Sequence, residues 1–136
     1  MPLGSIPPRR LTLALILGAI IAAGLVWRLV PLGLPPFALK YGGSILWGAM
    51  VYVLVLLVAP ALGIARAVLA AGLIACAVEF SRLVHTPQLD AFRLTLTGQL
   101  LLGRVFIWWN LVAYAAGMAT AGLIHQTCAL RARRQG

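Results

Sequence analysis

The stretch VEFSRLVHTPQLDAFR, Val78 to Arg93, holds Glu79 and Asp90, the two acidic residues of the chain, together with Arg82, His85 and Arg93. These residue types could do two kinds of chemistry. Guanidinium groups bind phosphate or carboxylate through two parallel hydrogen bonds, and neighbouring carboxylates hold them in place. A Glu and a His could also serve as general base and acid. Glu79, Arg82 and His85 are spaced by three, so on a helix they fall roughly on one face. Asp90 and Arg93 repeat that spacing. Ser81 lies two positions from Glu79 and does not share its face, so no nucleophile is paired with the acid. His125 and Cys128 are three apart, but two candidate ligands do not define a zinc site. No phosphate-cradling loop or nucleophile elbow is present. The sequence assigns no catalytic residue, no metal and no cofactor.

The elements that must position this cluster are apolar. The chain has 136 residues, 62% hydrophobic and 10% charged, with a mean hydropathy of +1.02. Such a composition cannot cover a soluble domain with polar surface, so lipid must cover it. The whole chain, 1–136, reads as one integral membrane domain. Its class is all-α: a four-transmembrane-helix bundle with an interfacial or re-entrant segment between helices three and four. The spans fall at roughly 11–30, 44–58, 64–84 and 105–124. Gly18, Ala19, Ala22 and Ala23 predict close helix contact in the first span; Ala115, Gly117, Ala119 and Gly122 do so in the fourth. Trp27 and Arg28 suit a headgroup interface. PLGLPPFALKYGG predicts an interfacial loop, because proline and glycine interrupt helices. Leu89, Phe92, Leu96 and Leu100 recur at helical spacing, which predicts an amphipathic segment capped by Asp90. RARR falls in a polar C-terminal tail. Cys76 and Cys128 read as unpaired small apolar side chains.

The net charge of +9 comes from eleven Lys and Arg against two acids. The cations sit at the ends of apolar runs, so anionic lipid headgroups, and not nucleic acid, are the expected partners. Four spans put both termini on one side. That side carries Arg9, Arg10, Arg66, Arg131, Arg133 and Arg134; the other carries Arg28, Lys40, Arg82, Arg93 and Arg104. The excess of basic residues places both termini in the cytoplasm. The opposite rim gathers Lys40, Tyr41, Trp47, Trp108 and Trp109 beside the charged cluster, and Asn110 falls near the depth of Glu79. Two readings of Glu79 stand. It could pair with Arg82 so that the helix can end in lipid, or it could be an intramembrane acid facing a polar pocket, where ionisable groups tend to be functional.

The motifs FALKYGGSILWGAMVY, VEFSRLVHTPQLDAFRLTLTGQLLLG and FIWWNLVAYAAG resemble a family of small bacterial membrane proteins of unknown function, sometimes labelled YjgA-type ribosomal maturation. The resemblance covers Leu11 to Ile124. That family in turn looks like a short relative of VanZ-like proteins, which implies a pattern of acid, Arg or His, Asp, and a polar residue and glycine in the last helix. The pattern lands on Glu79, Arg82, His85, Asp90, Arg93, Asn110 and Gly117. Ser44 and Asn110 stand where the resemblance implies acids, which leaves the rim more positive and favours binding an anion over catalysis. Four apolar spans are incompatible with a soluble ribosomal assembly factor. VanZ-like proteins are linked to lower teicoplanin susceptibility, which implies envelope lipids or lipid-linked precursors and a multi-pass location in the bacterial inner (cytoplasmic) membrane.

Three functions follow as expectations. The first is binding of an anionic lipid headgroup or lipid-linked envelope intermediate at the outer face by Glu79, Arg82, His85, Asp90, Arg93, Asn110 and Lys40. The second is an accessory subunit stabilising a larger membrane protein complex. The third is a lipid-modifying enzyme using Glu79 and His85.

Overall fold

The computed structural model describes residues 8–136. The first seven residues of the expected 1–136 domain lie outside the described residues. All regular structure among the described residues is helical: α1 (Pro8–Leu29), α2 (Pro36–Val58), α3 (Ile64–Ser81), α4 (Pro87–Leu94), α5 (Leu96–Leu101) and α6 (Trp108–Gln135). Among the described residues three helices, α1 to α3, are long and apolar enough to cross a membrane. At 1.5 Å per residue they measure about 27–35 Å, close to the hydrocarbon thickness. Their outer faces carry residues such as Leu15, Val58 and Leu73, which are 66%, 75% and 64% exposed. That is surface for lipid. At 28 residues, α6 is longer, but it is more polar and is not among the three.

The helix ends differ from the sequence expectation for identifiable reasons. Pro36 does not break α2; it occupies the start of the helix, where its missing N–H costs nothing and its fixed φ fits. The helix therefore begins eight residues before the expected Ser44. At the other end of the chain, α6 runs through the RARR segment to Gln135, with Arg133 and Arg134 in its last turn, where cations complement the helix dipole. Ser81 ends α3, short of Val84. The expected interfacial segment is two short helices. Thr86, not Asp90, caps α4, its Oγ1 accepting from Leu89 N at 3.2 Å. Thr95 closes α4 and caps α5 by accepting from Gly98 N at 3.0 Å.

Helices α2 and α6 form the centre of the bundle, with α1 on the flank of α2 and α3 packed on both. Close approach comes from small residues, as expected where lipid supplies no hydrophobic drive between helices. A Cβ at Gly48 would collide with the backbone of Tyr114, and one at Gly117 with the carbonyl of Ile45. The buried face of α6 is Ala113, Tyr114, Gly117, Met118 and Gly122; Ala115 and Ala119, expected on it, are exposed. The inner face of α3 is an alanine stripe, Ala67, Ala71 and Ala75, that leads one turn later to Glu79.

The inner face of α1 also differs. Gly18, Ala19, Ala22 and Ala23 face outward, and Leu13, Leu17, Ile20, Gly24 and Trp27 turn inward. Their spacing of four and three is the seam of two slowly coiling helices. Trp27, two residues from the end of α1, is part of that seam. Its Nε1 donates to Leu39 O at 3.1 Å, and its ring lies where a Cβ on Gly42 would be, 2.6 Å from Cε2. Trp47, expected at the rim, packs against Tyr114 with ring centroids 4.6 Å apart and the rings tilted by 44°.

Candidate functional site

The C-terminal end of α3, the N-terminal ends of α2 and α6, and the α5–α6 loop meet at one end of the bundle. Glu79 lies between them and is 0% exposed. An isolated carboxylate there would be prohibitively costly, so its oxygens need donors. Four groups supply them. Glu79 Oε1 accepts from Ile107 N at 2.8 Å, Asn110 Nδ2 at 3.3 Å and Arg82 Nη1 at 2.9 Å. Glu79 Oε2 accepts from Tyr114 OH at 3.1 Å and lies 2.8 Å from Arg82 Nη1.

Arg82 is 9% exposed and reaches further. Its Nε donates to Leu102 O at 2.6 Å, Nη1 to Val105 O at 3.1 Å and Nη2 to Tyr114 OH at 2.9 Å. Gly103 makes this possible. It has φ +68°, and a Cβ there would lie 2.5 Å from Arg82 Nη2, so only glycine satisfies both the backbone and the guanidinium.

The scarce charges therefore serve helix termini, whose end groups have no partner in their own helix. Glu79 accepts from the N-cap residue of α6, where negative charge also suits the helix dipole. Arg82 donates to the C-cap residue of α5. Arg93, 3% exposed, donates through Nη2 to Ser81 O, the last carbonyl of α3, and through Nη1 to Val84 O at 2.8 Å in the turn that follows.

The seven sequence-selected residues divide into groups. Glu79, Arg82 and Asn110 come together, joined by Ser44 at the edge, whose Oγ is 3.5 Å from Asn110 Oδ1. His85, Asp90 and Arg93 form a second cluster, because α3 ends before His85 can share the Glu79 face. His85 Nδ1 lies 3.2 Å from Asp90 Oδ1, which also accepts from Arg93 Nη1 at 3.1 Å. Glu79 and His85 thus engage different partners. Lys40 is exposed on α2, its Nζ 5.5 Å from the Tyr41 ring centroid. Tyr114 is the network member that sequence reasoning missed. It follows Asn110 by four residues and so shares its face, a signal that was available.

Beside the network a cleft of about 1300 Å³ opens between α1, α2, α5 and the start of α6. Leu25, Trp27, Leu39 and Met50 contribute apolar wall. Arg28, Lys40, Arg82 and Arg104 line it as well, and no lining residue is acidic. Asn110 and Tyr114 connect its floor to the buried network.

Residues 33–118 match the family model described as "Protein of unknown function (DUF2809)". The chain belongs to the DUF2809 family. The match runs from the loop before α2 into the middle of α6, so it contains Glu79, Arg82, Gly103, Ile107, Asn110 and Tyr114 together. The DUF2809 description assigns no activity and carries neither a VanZ-like nor a ribosomal label. No curated protein and no solved structure matches the chain.

Proposed function

We propose that this membrane protein binds an anionic lipid, or a lipid-linked envelope intermediate, in the cleft beside the Glu79–Arg82 network. One observation carries the reading: the cleft joins apolar walls to Arg28, Lys40, Arg82 and Arg104 without an acidic lining residue. An amphiphile with acyl chains and a phosphate complements that arrangement. Arg82 already has Glu79 as its counter-ion, which leaves Arg28, Lys40 and Arg104 as the cations for a ligand. The buried network's part is to hold the cleft's floor in place. VanZ-like kinship, suggested by the acid–Arg–His–Asp pattern, agrees with a role in envelope lipids.

Native mass spectrometry after gentle detergent extraction tests this. The wild-type chain is expected to retain a phospholipid. Each Lys or Arg near a headgroup contributes about 1 kcal/mol. Lys40→Gln with Arg104→Gln should therefore weaken anionic lipid binding on the order of 30-fold. A lone chain without lipid would sink the proposal, and a stoichiometric protein companion would favour the accessory-subunit reading.

We further propose that α6 is a fourth span, placing both termini in the cytoplasm of a bacterial cell. Its 28 residues reach about 42 Å, longer than the hydrocarbon layer, and the polar stretch from His125 to Gln135 that lowers its hydropathy includes the part that would extend beyond that layer. A C-terminal green fluorescent protein fusion should fluoresce and an alkaline phosphatase fusion stay inactive. The reverse pattern would remove this topology.

A further inference from the structure

A second, smaller hollow of about 240 Å³ lies beside the cleft, lined by His85, Asp90, Arg93, Leu94 and Arg104. Arg104 lines both spaces, so a phosphate held by its guanidinium would sit at their junction. Beyond that junction the hollow offers hydrogen-bonding groups of both signs. Both contacts of Asp90 go to Oδ1, from His85 Nδ1 and Arg93 Nη1, which leaves Oδ2 to accept. With its Nδ1 directed to a carboxylate, His85 keeps Nε2 for another partner. Arg93 is 3% exposed, and its buried Nε has no acceptor among the described residues. That nitrogen is closed off from the hollow, so the groups open to a ligand are Asp90 Oδ2 and His85 Nε2.

Resting on the lipid-binding reading, we propose that this hollow receives the hydroxyl groups of a phosphate headgroup carrying glycerol or a single sugar. Hydroxyls both donate and accept. They therefore suit a hollow with a free carboxylate oxygen and an imidazole nitrogen beside the Arg104 side chain. A plain phosphate ester would leave those groups unmatched, and a second anionic group would meet Asp90. The ligand then lies with its acyl chains in the large cleft, its phosphate at Arg104 and its polyol over Asp90.

Two lipids of equal charge and acyl chains separate this inference from the reading beneath it: dioleoyl phosphatidylglycerol and dioleoyl phosphatidylmethanol, which lacks the hydroxyls. In native mass spectrometry titrations of the full chain, the glycerol lipid should bind about tenfold more tightly, as expected for one hydrogen bond to a charged group. Asp90→Asn should bring the two lipids to parity without weakening phosphatidylmethanol binding, because the change removes a negative charge beside the phosphate; that retained binding also shows the variant folded. His85→Ala, outside the Arg93 contacts at the end of α3, should reduce the preference in the same direction. Equal binding of both lipids by the wild type, or an unchanged preference in both variants, overturns the headgroup inference and leaves lipid binding standing. Binding of neither lipid overturns both. Free glycerol phosphate binding as tightly as the lipid would also overturn it, because the cleft would then contribute nothing.

Discussion

Glu79→Ala is expected to lower the unfolding free energy by about 3–5 kcal/mol, the range for breaking a buried pair by removing one partner. The cost lies less in the lost attraction than in what stays behind. Arg82 would remain 9% exposed with a charge facing no acid. Ile107 N and Asn110 Nδ2 would lose an acceptor, and so would the Tyr114 hydroxyl. Unsatisfied buried donors each cost about 1–3 kcal/mol. Pairing the change with Arg82→Met removes the stranded charge, so the double variant should be less destabilised than the sum of the two single changes. Denaturation midpoints in one mild detergent give the comparison. A loss below about 1 kcal/mol for Glu79→Ala would mean that the pair behaves like an exposed one, and the network would then not be what holds the end of the bundle.

The charged cluster was legible in the sequence because its first members obey helix spacing. Glu79 and Arg82 are three apart on α3 and do meet, and Asn110 stands at the depth expected for it. Where spacing failed, a helix ended. His85 continues the period of three, but Ser81 closes α3, so His85 turns to Asp90 instead. Backbone groups left no trace in residue types. Ile107 N, Leu102 O and Val105 O are three of the five groups the ion pair touches, and only the glycine at 103 hints at them. The helix faces were harder for a different reason. In a chain this apolar, hydrophobicity does not distinguish a face turned to lipid from one turned to protein. On α1 the small residues suggest the contact, and the larger Leu13, Leu17 and Ile20 make it.

This division explains how a polar network can exist in so apolar a chain. The network's ionisable groups, Glu79, Arg82 and Arg93, sit at the ends of helices, where backbone groups lack partners and lipid offers none. The break between α5 and α6 also shapes the cleft, since Gly103, Arg104, Val105 and Ile107 all line it. The proposed anion site at this end would thus rest on the same ion pair that closes the helix ends.

Gly117→Val should destabilise the bundle by about 3 kcal/mol, the upper end of the overpacking range. Three facts place it there. The atoms a side chain would meet are backbone: the carbonyl of Ile45, its carbon at 2.9 Å, and Ala49 N at 3.1 Å. A helix backbone cannot move aside as a flexible side chain can, so α2 and α6 must separate. Gly48 forms the matching contact from the other helix, against the backbone of Tyr114, so separation at one glycine loosens the other. The displacement would pull Tyr114 from Trp47 and tilt it relative to Glu79 and Arg82, so retained lipid should fall along with stability. Gly72→Ala on α3 is the control. A Cβ there meets nothing within 4 Å, and exchanging a helical glycine for alanine should stabilise by up to about 1 kcal/mol. Thermal unfolding in a common detergent should therefore move in opposite directions for the two variants. If Gly117→Val unfolds no earlier than Gly72→Ala, the α2–α6 crossing is not the close contact described.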